Sequence, residues 1–164
     1  MTNQITDDTV VRGHLSATSM TIPNNTVTSD AVQSGANINA DKLESRIYAS
    51  HAQPNTAATA ETRTLFVARR VGIVNHIYVG SIAAAIGDST VTVDVKKNGT
   101  SILSSTVTLN SSNTARIAVA ATIDGTLDDL AAADWLEVVI TISAGTGTLP
   151  TGVFVQVEID QDGV

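Results

Sequence analysis

Apolar and polar residues alternate along much of the chain after residue 45, and this two-residue period predicts β-strands. The clearest segment is STVTVDVKKNGTSILSSTVTLN, where three valines alternate with Thr, Asp and Lys: Val91, Val93 and Val95. Asn98-Gly99 follows this run, and the dipeptide favours a two-residue type I′ turn because both central residues need positive φ. We therefore predict a β-hairpin whose return strand carries the next apolar positions: Ile102, Val107 and Leu109.

Six further segments show strand character and are separated by turn-forming clusters such as AIGDS, LNSSN and AGTGTLPTG. They are IYASHAQ (47–53), TRTLFVA (62–68), IVNHIYVGSIA (73–83), ARIAVAATI (115–123), DWLEVVITIS (134–143) and GVFVQVEI (152–159). Before DWLEVVITIS, the segment DGTLDDLAAADW places Leu127, Leu130 and Ala131 at helical spacing, which predicts one helical turn crossing between sheets. Many short strands at regular intervals favour an all-β fold. We predict that residues 46–164 form an antiparallel β-sandwich of jelly-roll type with about eight strands.

Residues 1–45 follow a different pattern, in which single apolar residues are scattered through a polar segment. VVRGHLSATSMTI (10–22) has strand character, IPNN is a turn, and NINADKLE fits one helical turn N-capped by Asn39. The segment is too polar to build its own core, yet its apolar positions are too regular for a plain linker. We predict an extended N-terminal arm, residues 1–45, whose apolar side chains contact other subunits. The candidate partner-binding residues are Leu15, Met20, Ile22, Pro23, Val27, Val32, Ile38 and Leu43.

Composition supports the strand assignment and argues against several classes of function. Hydrophobic residues make up 43% of the 164 residues but aromatics only 3%, so the core must be built from Val, Ile, Ala and Leu. A net charge of −7 disfavours binding to nucleic-acid phosphates, and no apolar run is long enough to span a bilayer. The absence of cysteine excludes disulfides, thiolate zinc sites and cysteine nucleophiles. The first residues, MTNQITDDTV, lack the basic and apolar regions of a secretory leader, so we expect synthesis in the cytoplasm.

Two polar motifs look like ligand sites but are better explained as loops. In AGTGTLPTG, Gly145 and Gly147 resemble part of a phosphate cradle, but Pro150 stands where a third glycine would fall, and a strand follows instead of a helix. We interpret this segment as a flexible hairpin loop. The carboxylates of IDGTLDDLAAAD lack the spacing of a helical calcium loop, and we interpret them as solvated, with a calcium ion in one of these turns as the alternative: Asp124, Asp128, Asp129 and Asp134.

The remaining candidates for catalysis or sugar binding are isolated residues. His14, His51 and His76 are far apart in sequence and show no metal-ligand spacing, and we expect His76 to be a core or interface imidazole. Ser and Thr are abundant, but no Gly-x-Ser-x-Gly nucleophile motif occurs. One Trp and two Tyr are too few for a sugar-binding platform, and Trp135 is predicted to cap the core. We therefore predict a protein that is not an enzyme and that uses no cofactor or metal.

Four segments together resemble a known group of proteins: GHLSATSMTIPNNTVTSDAV, INADKLESR, STVTVDVKKNGTSILSSTVTLN and DWLEVVITISAGTGTLPTGVFVQVEI. The group comprises the capsid decoration, or cement, proteins of tailed bacteriophages, which have a jelly-roll body and an N-terminal arm. The most specific parts of the resemblance are the arm pattern TIP-x-x-TVT-x-x-AV…A-x-KLE and the hairpin VDVKKNGTS. Neither of these is a catalytic motif.

The resemblance implies a homotrimer on the outer surface of a phage shell, bound to the major capsid protein. The arm would pack on neighbouring subunits and on the coat protein, while the acidic body would face solvent. The lack of cysteine fits assembly in a reducing host cytoplasm. A tail-fibre or receptor-binding module of a phage virion is the alternative, because such proteins use related trimeric β-modules and would anchor the body to a tail through the arm.

Overall fold

The computed structural model describes residues 45–161, which form ten β-strands and no helix. The strands are β1 (Ser45–Ala52), β2 (Glu61–Val67), β3 (Gly72–Ala83), β4 (Thr90–Lys97), β5 (Thr100–Ser101), β6 (Val107–Leu109), β7 (Val119–Ala120), β8 (Asp129–Leu130), β9 (Trp135–Ser143) and β10 (Thr151–Gln161). They make two sheets of five strands, and every strand pair is antiparallel. The sheets enclose one shared core, so the predicted all-β sandwich is confirmed.

The strand order is that of a jelly roll. The first sheet runs β1-β10-β3-β7, with β8 also paired to β3, and the second runs β2-β9-β4-β5, with β6 also paired to β4. Because β5 and β6 pair with successive parts of β4, they act as one interrupted strand, and β7 and β8 do the same along β3. The eight resulting strand positions follow the orders 1-8-3-6 and 2-7-4-5, which are those of two interlocked Greek keys.

The connections between strands gather at the two ends of the sandwich. At the end where β1 begins, the Asn98 amide of the β4–β5 turn donates to the Trp135 carbonyl at 3.1 Å. The Ala133 amide of the β8–β9 connection donates to the Ala68 carbonyl, just after β2, at 2.8 Å. We call this the proximal end. At the opposite, distal end, the Ala58 amide donates to the Pro150 carbonyl at 2.9 Å, which joins the β1–β2 and β9–β10 connections.

The core consists of aliphatic side chains arranged in alternating rows. In β4 the three valines predicted to face inward are fully buried, and the polar residues between them lie on the outer surface. The same alternation buries one face of β9 and β10, and the facing rows are Leu136, Val138 and Ile140 against Val153, Val155, Val157 and Ile159. None of the five aromatic side chains is fully buried, and the buried core consists of Val, Ile, Leu and Ala side chains, with the partly buried Phe66 packed against it.

The β4–β5 hairpin has the predicted turn. Asn98 and Gly99 have φ values of 51° and 85°, as a type I′ turn requires. The Asn98 side chain also ties the turn to β9: its Oδ1 accepts from the Trp135 amide at 3.1 Å, and its Nδ2 donates to Asp134 at 2.7 Å. The turn therefore closes the hairpin and is also held against the start of the neighbouring strand β9.

The predicted helical turn in DGTLDDLAAADW is wrong. Asp124 instead accepts hydrogen bonds from the amide and hydroxyl of Thr126 at 3.0 and 2.8 Å, which stabilises a local turn. The chain then extends as β8, pairs with the start of β3 and buries Leu130 in the core. Side chain–backbone bonds and a free partner on β3 outweigh the helical spacing of the leucines. The segment does cross between sheets, because it links β8 of the first sheet to β9 of the second.

Two other local predictions need correction. The strand predicted over 115–123 is limited to β7, because Arg116 has a φ of 63°, which interrupts the extended backbone, and Ile117 is exposed. Trp135 does not cap the core: its side chain is 44% exposed, since the alternation along β9 turns Leu136 inward and Trp135 outward.

Replacing Gly99 with Val should lower the stability of the fold. A Cβ at Gly99 would meet no atom within 4 Å, so the expected cost comes from forcing a β-branched residue into positive φ rather than from a clash. We expect the free energy of unfolding to fall by about 1–3 kcal/mol, measured by urea denaturation. Thr100→Val, one residue later in β5, is the matched control and should change stability little. An unchanged unfolding midpoint for Gly99→Val would contradict the type I′ assignment.

Candidate contact surfaces of the jelly-roll body

The eight predicted partner-binding residues of the arm, from Leu15 to Leu43, lie outside the described residues, as does His14. Their role therefore stays a prediction.

The glycine-containing loop after β9 is a crossover rather than the hairpin predicted, because β9 and β10 belong to different sheets. It is held in place by the β3–β4 connection. Asp88 accepts from the amide and hydroxyl of Thr146 at 2.8 and 3.1 Å, and these bonds lower the pKa of the Asp88 carboxyl. Gly147 lies against the Ile86 carbonyl with no room for a Cβ. Since a carboxylate already occupies the Thr146 amide, this loop does not present an anion cradle.

The acidic residues between β7 and β9 stabilise turns. Thr126 lowers the pKa of Asp124 through the two hydrogen bonds described above. Asp134 accepts from the Ala131 amide at 2.8 Å and from Asn98, and these bonds lower its pKa. Within residues 45–161, no group of three or more His, Cys, Asp or Glu side chains is placed to hold a metal ion.

A polar cluster joins the two sheets at the edge formed by β1 and β2. Glu61 of β2 accepts from Gln53 Nε2 at 2.6 Å, lies 2.9 Å from His51 Nε2, and binds Arg63 Nε through its second oxygen at 2.9 Å. Gln53, which directly follows β1 and is almost fully buried, also donates to the Thr59 carbonyl at 2.6 Å. Hydrogen bonds from Arg63 and His51, with a smaller contribution from Gln53, lower the pKa of Glu61 to about 2.

Hydrogen bonds within the protein hold this polar cluster together. Both oxygens of the Glu61 carboxylate accept from protein donors, and the His51 imidazole contacts Glu61 through Nε2. Sequence reasoning missed the cluster because His51 and Glu61 are ten residues apart across a loop. The only local signal was the pair of short polar runs SHAQ and ETR.

The outer face of the first sheet gathers three of the five aromatic side chains, and we call it the aromatic face. Tyr48 of β1, Glu158 of β10 and His76 of β3 share one row across three strands. The next rows carry Tyr78 and then Phe154, whose ring packs over Gly80 where a Cβ would collide with it. Tyr48 is 56% exposed. The outer face of the second sheet differs, because its outward positions on β4 and β9 are mainly Thr, Asp, Glu and Lys.

His76 is not a core residue, which corrects one of its two predicted environments. Its side chain is 57% exposed on the aromatic face and stacks on Tyr78, with ring centroids 6.0 Å apart and an interplanar angle of 4°. Its Nδ1 lies 3.8 Å from Glu158, which also pairs with Arg46 at 3.2 Å. Aromatic residues and Arg are enriched at protein interfaces, so this face is the strongest candidate contact surface of the body.

Comparisons with known proteins identify no family. No protein-family model matches the chain, and no curated protein matches it. Among solved structures, a chain of "Structure of infectious bursal disease virus Gt strain" is similar over 74% of this chain and 37% of that chain, with 11% sequence identity and a TM-score of 0.27. A likeness at this level carries no argument about function. No helix among residues 45–161 is long and apolar enough to cross a membrane.

The Glu61 cluster should make stability depend on acid pH. Because the pKa of Glu61 is about 2 in the folded state against an ordinary value of 4.5, its contribution is present above pH 4.5 and is lost as pH falls towards 2. Glu61→Gln should reduce the free energy of unfolding near pH 7 by about 1–3 kcal/mol and flatten its dependence on pH between 5 and 2. Urea denaturation across this range measures both effects. Glu137→Gln, on the outer face of the same sheet, reports the effect of losing one surface carboxylate; an identical profile for both variants would refute the role of Glu61.

Proposed function

We propose that this protein is a structural protein of a bacteriophage virion, which binds the outside of the capsid as a homotrimer and stabilises the shell. The observation that carries the proposal is that all eight jelly-roll strand positions lie within residues 45–161. The body therefore needs no strand from residues 1–44, and the proposal assigns the apolar residues of that segment to contacts with other chains. This division of labour is what the resemblance to capsid decoration proteins implies.

The chemistry of the described body supports a structural role over a catalytic one. The most strongly perturbed carboxylate, Glu61, is saturated by protein donors, and the glycine loop is closed by Asp88. The proposal accordingly includes no enzymatic activity and no cofactor. It places the protein on the outer capsid surface, after synthesis in the host cytoplasm, with the major capsid protein as the partner of the arm.

The homotrimer is directly measurable. A small sandwich with a purely aliphatic core gains stability by burying further apolar surface between subunits. We expect light scattering to give three times the chain mass of 16.9 kDa, either for the free protein or for protein released from particles. A monomer mass in both preparations would contradict the trimer.

Removal of residues 1–44 should separate folding from attachment. Because β1 begins at Ser45, the truncated body should remain folded, with a cooperative thermal transition, while losing all binding to capsids that lack the protein. Calorimetry and a particle-sedimentation assay give the two readouts. Unfolding of the truncated body, or full occupancy on capsids, would refute the proposed role of the arm.

A milder change tests the arm's apolar contacts. Ile22→Asp combined with Val27→Asp would bury unpaired carboxylates, which costs several kcal/mol and should lower capsid affinity by orders of magnitude. Thr21→Asp with Thr26→Asp adds the same charge at neighbouring polar positions and should bind nearly normally.

Immunogold labelling of particles with the unmodified protein distinguishes the alternative function: label over the whole shell supports decoration, whereas label at the tail tip favours a fibre or receptor-binding module.

A further inference from the structure

Three of the four sheet edges in the described body are protected against pairing with another chain. The edge strand β2 carries a register shift between Thr64 and Phe66, together with the charged residues Glu61 and Arg63. The edges at β5–β6 and β7–β8 consist of strands only two or three residues long. Bulges, charges and short strands are the usual means of preventing edge-to-edge association.

The fourth edge, β1, has neither a bulge nor a short strand, and it is the least protected of the four. All eight residues of β1 pair with β10 in one unbroken register. The strand SRIYASHA contains no Pro or Gly, and its one fully charged residue is Arg46, near the start. Among residues 45–161, nothing pairs with its other side. The body therefore presents one long, regular and open strand edge.

The backbone of this edge points its polar groups outward at alternate residues. The Gln53 amide donates to the Val153 carbonyl at 2.8 Å, so this pair is hydrogen-bonded across β1 and β10. In an antiparallel ladder, hydrogen-bonded pairs alternate with pairs whose amides and carbonyls face the opposite side. The continuous register thus turns four residues towards the open edge: Arg46, Tyr48, Ser50 and Ala52.

Side chains near the proximal half of β1 are incompletely covered. Ile47 faces the core but is only partly buried, and Leu65 and Phe66, at the proximal end of β2, are likewise only partly buried against the core. On the outer side of β1, Tyr48 is more than half exposed. A strand added beside β1 would cover Ile47 with one row of its side chains and Tyr48 with the other.

We propose that the open edge of β1 receives residues 10–22 of a neighbouring copy of this chain as an added strand. The proposal deepens the proposed function by naming one of the partners of the arm. The segment VVRGHLSATSMTI has strand character and carries Arg12 but no carboxylate, which suits a protein of net charge −7. Main-chain pairing supplies the affinity of such added strands, and alternate side chains supply specificity.

Chain length favours a neighbouring copy as the donor. Residues 23–44 join the segment to Ser45 and can span roughly 70 Å when extended, which is enough to reach an adjacent subunit. A return to the β1 of the same chain would need these 22 residues as one connection within a compact unit, and connections of that length are uncommon.

Disulfide trapping in the full-length protein tests the pairing, because the chain has no cysteine of its own. Ser50→Cys is combined in turn with Ser16→Cys, Thr18→Cys or Met20→Cys, and each double variant is oxidised in the absence of capsids. At least one double variant should give disulfide-linked dimers and trimers on non-reducing gels. The yield should be at least tenfold above that of the matched control, in which Thr141→Cys replaces Ser50→Cys and the arm cysteine is the same. Thr141 is exposed on the central strand β9, where no edge is open. Equal yields, or a disulfide confined to a single chain, would overturn the proposal.

A proline variant tests the edge without relying on a new disulfide. Ser50→Pro removes an amide that points away from β10, and proline is tolerated at such positions of edge strands. Trypsin cleavage after Arg12, followed by mass spectrometry, should become at least tenfold faster in Ser50→Pro and remain unchanged in Ser50→Ala. Circular dichroism verifies that both variants are folded. If folded Ser50→Pro leaves cleavage after Arg12 as slow as in the unmodified protein, β1 does not hold this segment.

The outcome can be separated from that of the proposed function. Occupancy on capsids lacking the protein is measured with the same variants. Disulfide-linked oligomers together with no capsid binding would support the strand exchange and contradict the decoration role. Capsid binding without trapped oligomers would support decoration and overturn the strand exchange.

Discussion

Every other feature of the body depends on burial of aliphatic rows between two antiparallel sheets. Val91, Val93 and Val95 from β4 are completely buried, as are the inward residues of β10. β-Branched side chains are stiff and suit a pleated surface, and their short reach sets how closely the two sheets must approach. With the interior filled in this way, the few aromatic rings lie at the margins of the core or on the outer faces.

Along the edge formed by β1 and β2, the two sheets meet through polar contacts in one half and through apolar side chains in the other. At the distal half of the β1–β2 edge, the sheets are joined by the carboxylate of Glu61, the imidazole of His51 and the buried amide of Gln53. Gln53 can be buried, and His51 and Glu61 partly buried, because each finds a hydrogen-bond partner there. At the proximal half the edge carries partly buried apolar residues instead, of which Ile47 is the one on β1. Between β1 and β2, the inward-facing side chains are thus polar and hydrogen-bonded in the distal half and apolar and partly exposed in the proximal half.

The two outer faces of the sandwich have diverged in composition although they are built from the same kind of alternating strand. Threonine and charged residues dominate the outer face of the second sheet, as expected for a solvated surface. The aromatic face combines Tyr48, His76, Tyr78 and Phe154 with the ion pair of Arg46 and Glu158. Tyr48 lies both on this face and on the open edge strand, so a neighbouring chain seated at β1 would also contact the aromatic face.

By itself, the sequence determined the features that depend on neighbouring residues. The strand periods, the aliphatic core of β4 and the Asn98-Gly99 turn were all predictable, because alternation and positive φ are properties of short segments. IYASHAQ was also correctly predicted as a strand, and the jelly-roll class follows from the number and spacing of such segments. The arm's candidate contacts, from Leu15 to Leu43, come from the same kind of local pattern and remain predictions.

Tertiary structure decided the features that depend on which distant segments meet. Leu127, Leu130 and Ala131 have helical spacing, yet Asp129 and Leu130 form a strand because they pair with the start of β3. The glycine loop reads as a hairpin from its residues, but it crosses between sheets because β10 pairs with β1 and β3. The contact of His51 with Glu61, the shared face of Tyr48 and His76, and the open edge of β1 arise in the same way. Which distant strands become neighbours is set by burial of the whole core, and no short segment of sequence contains that information.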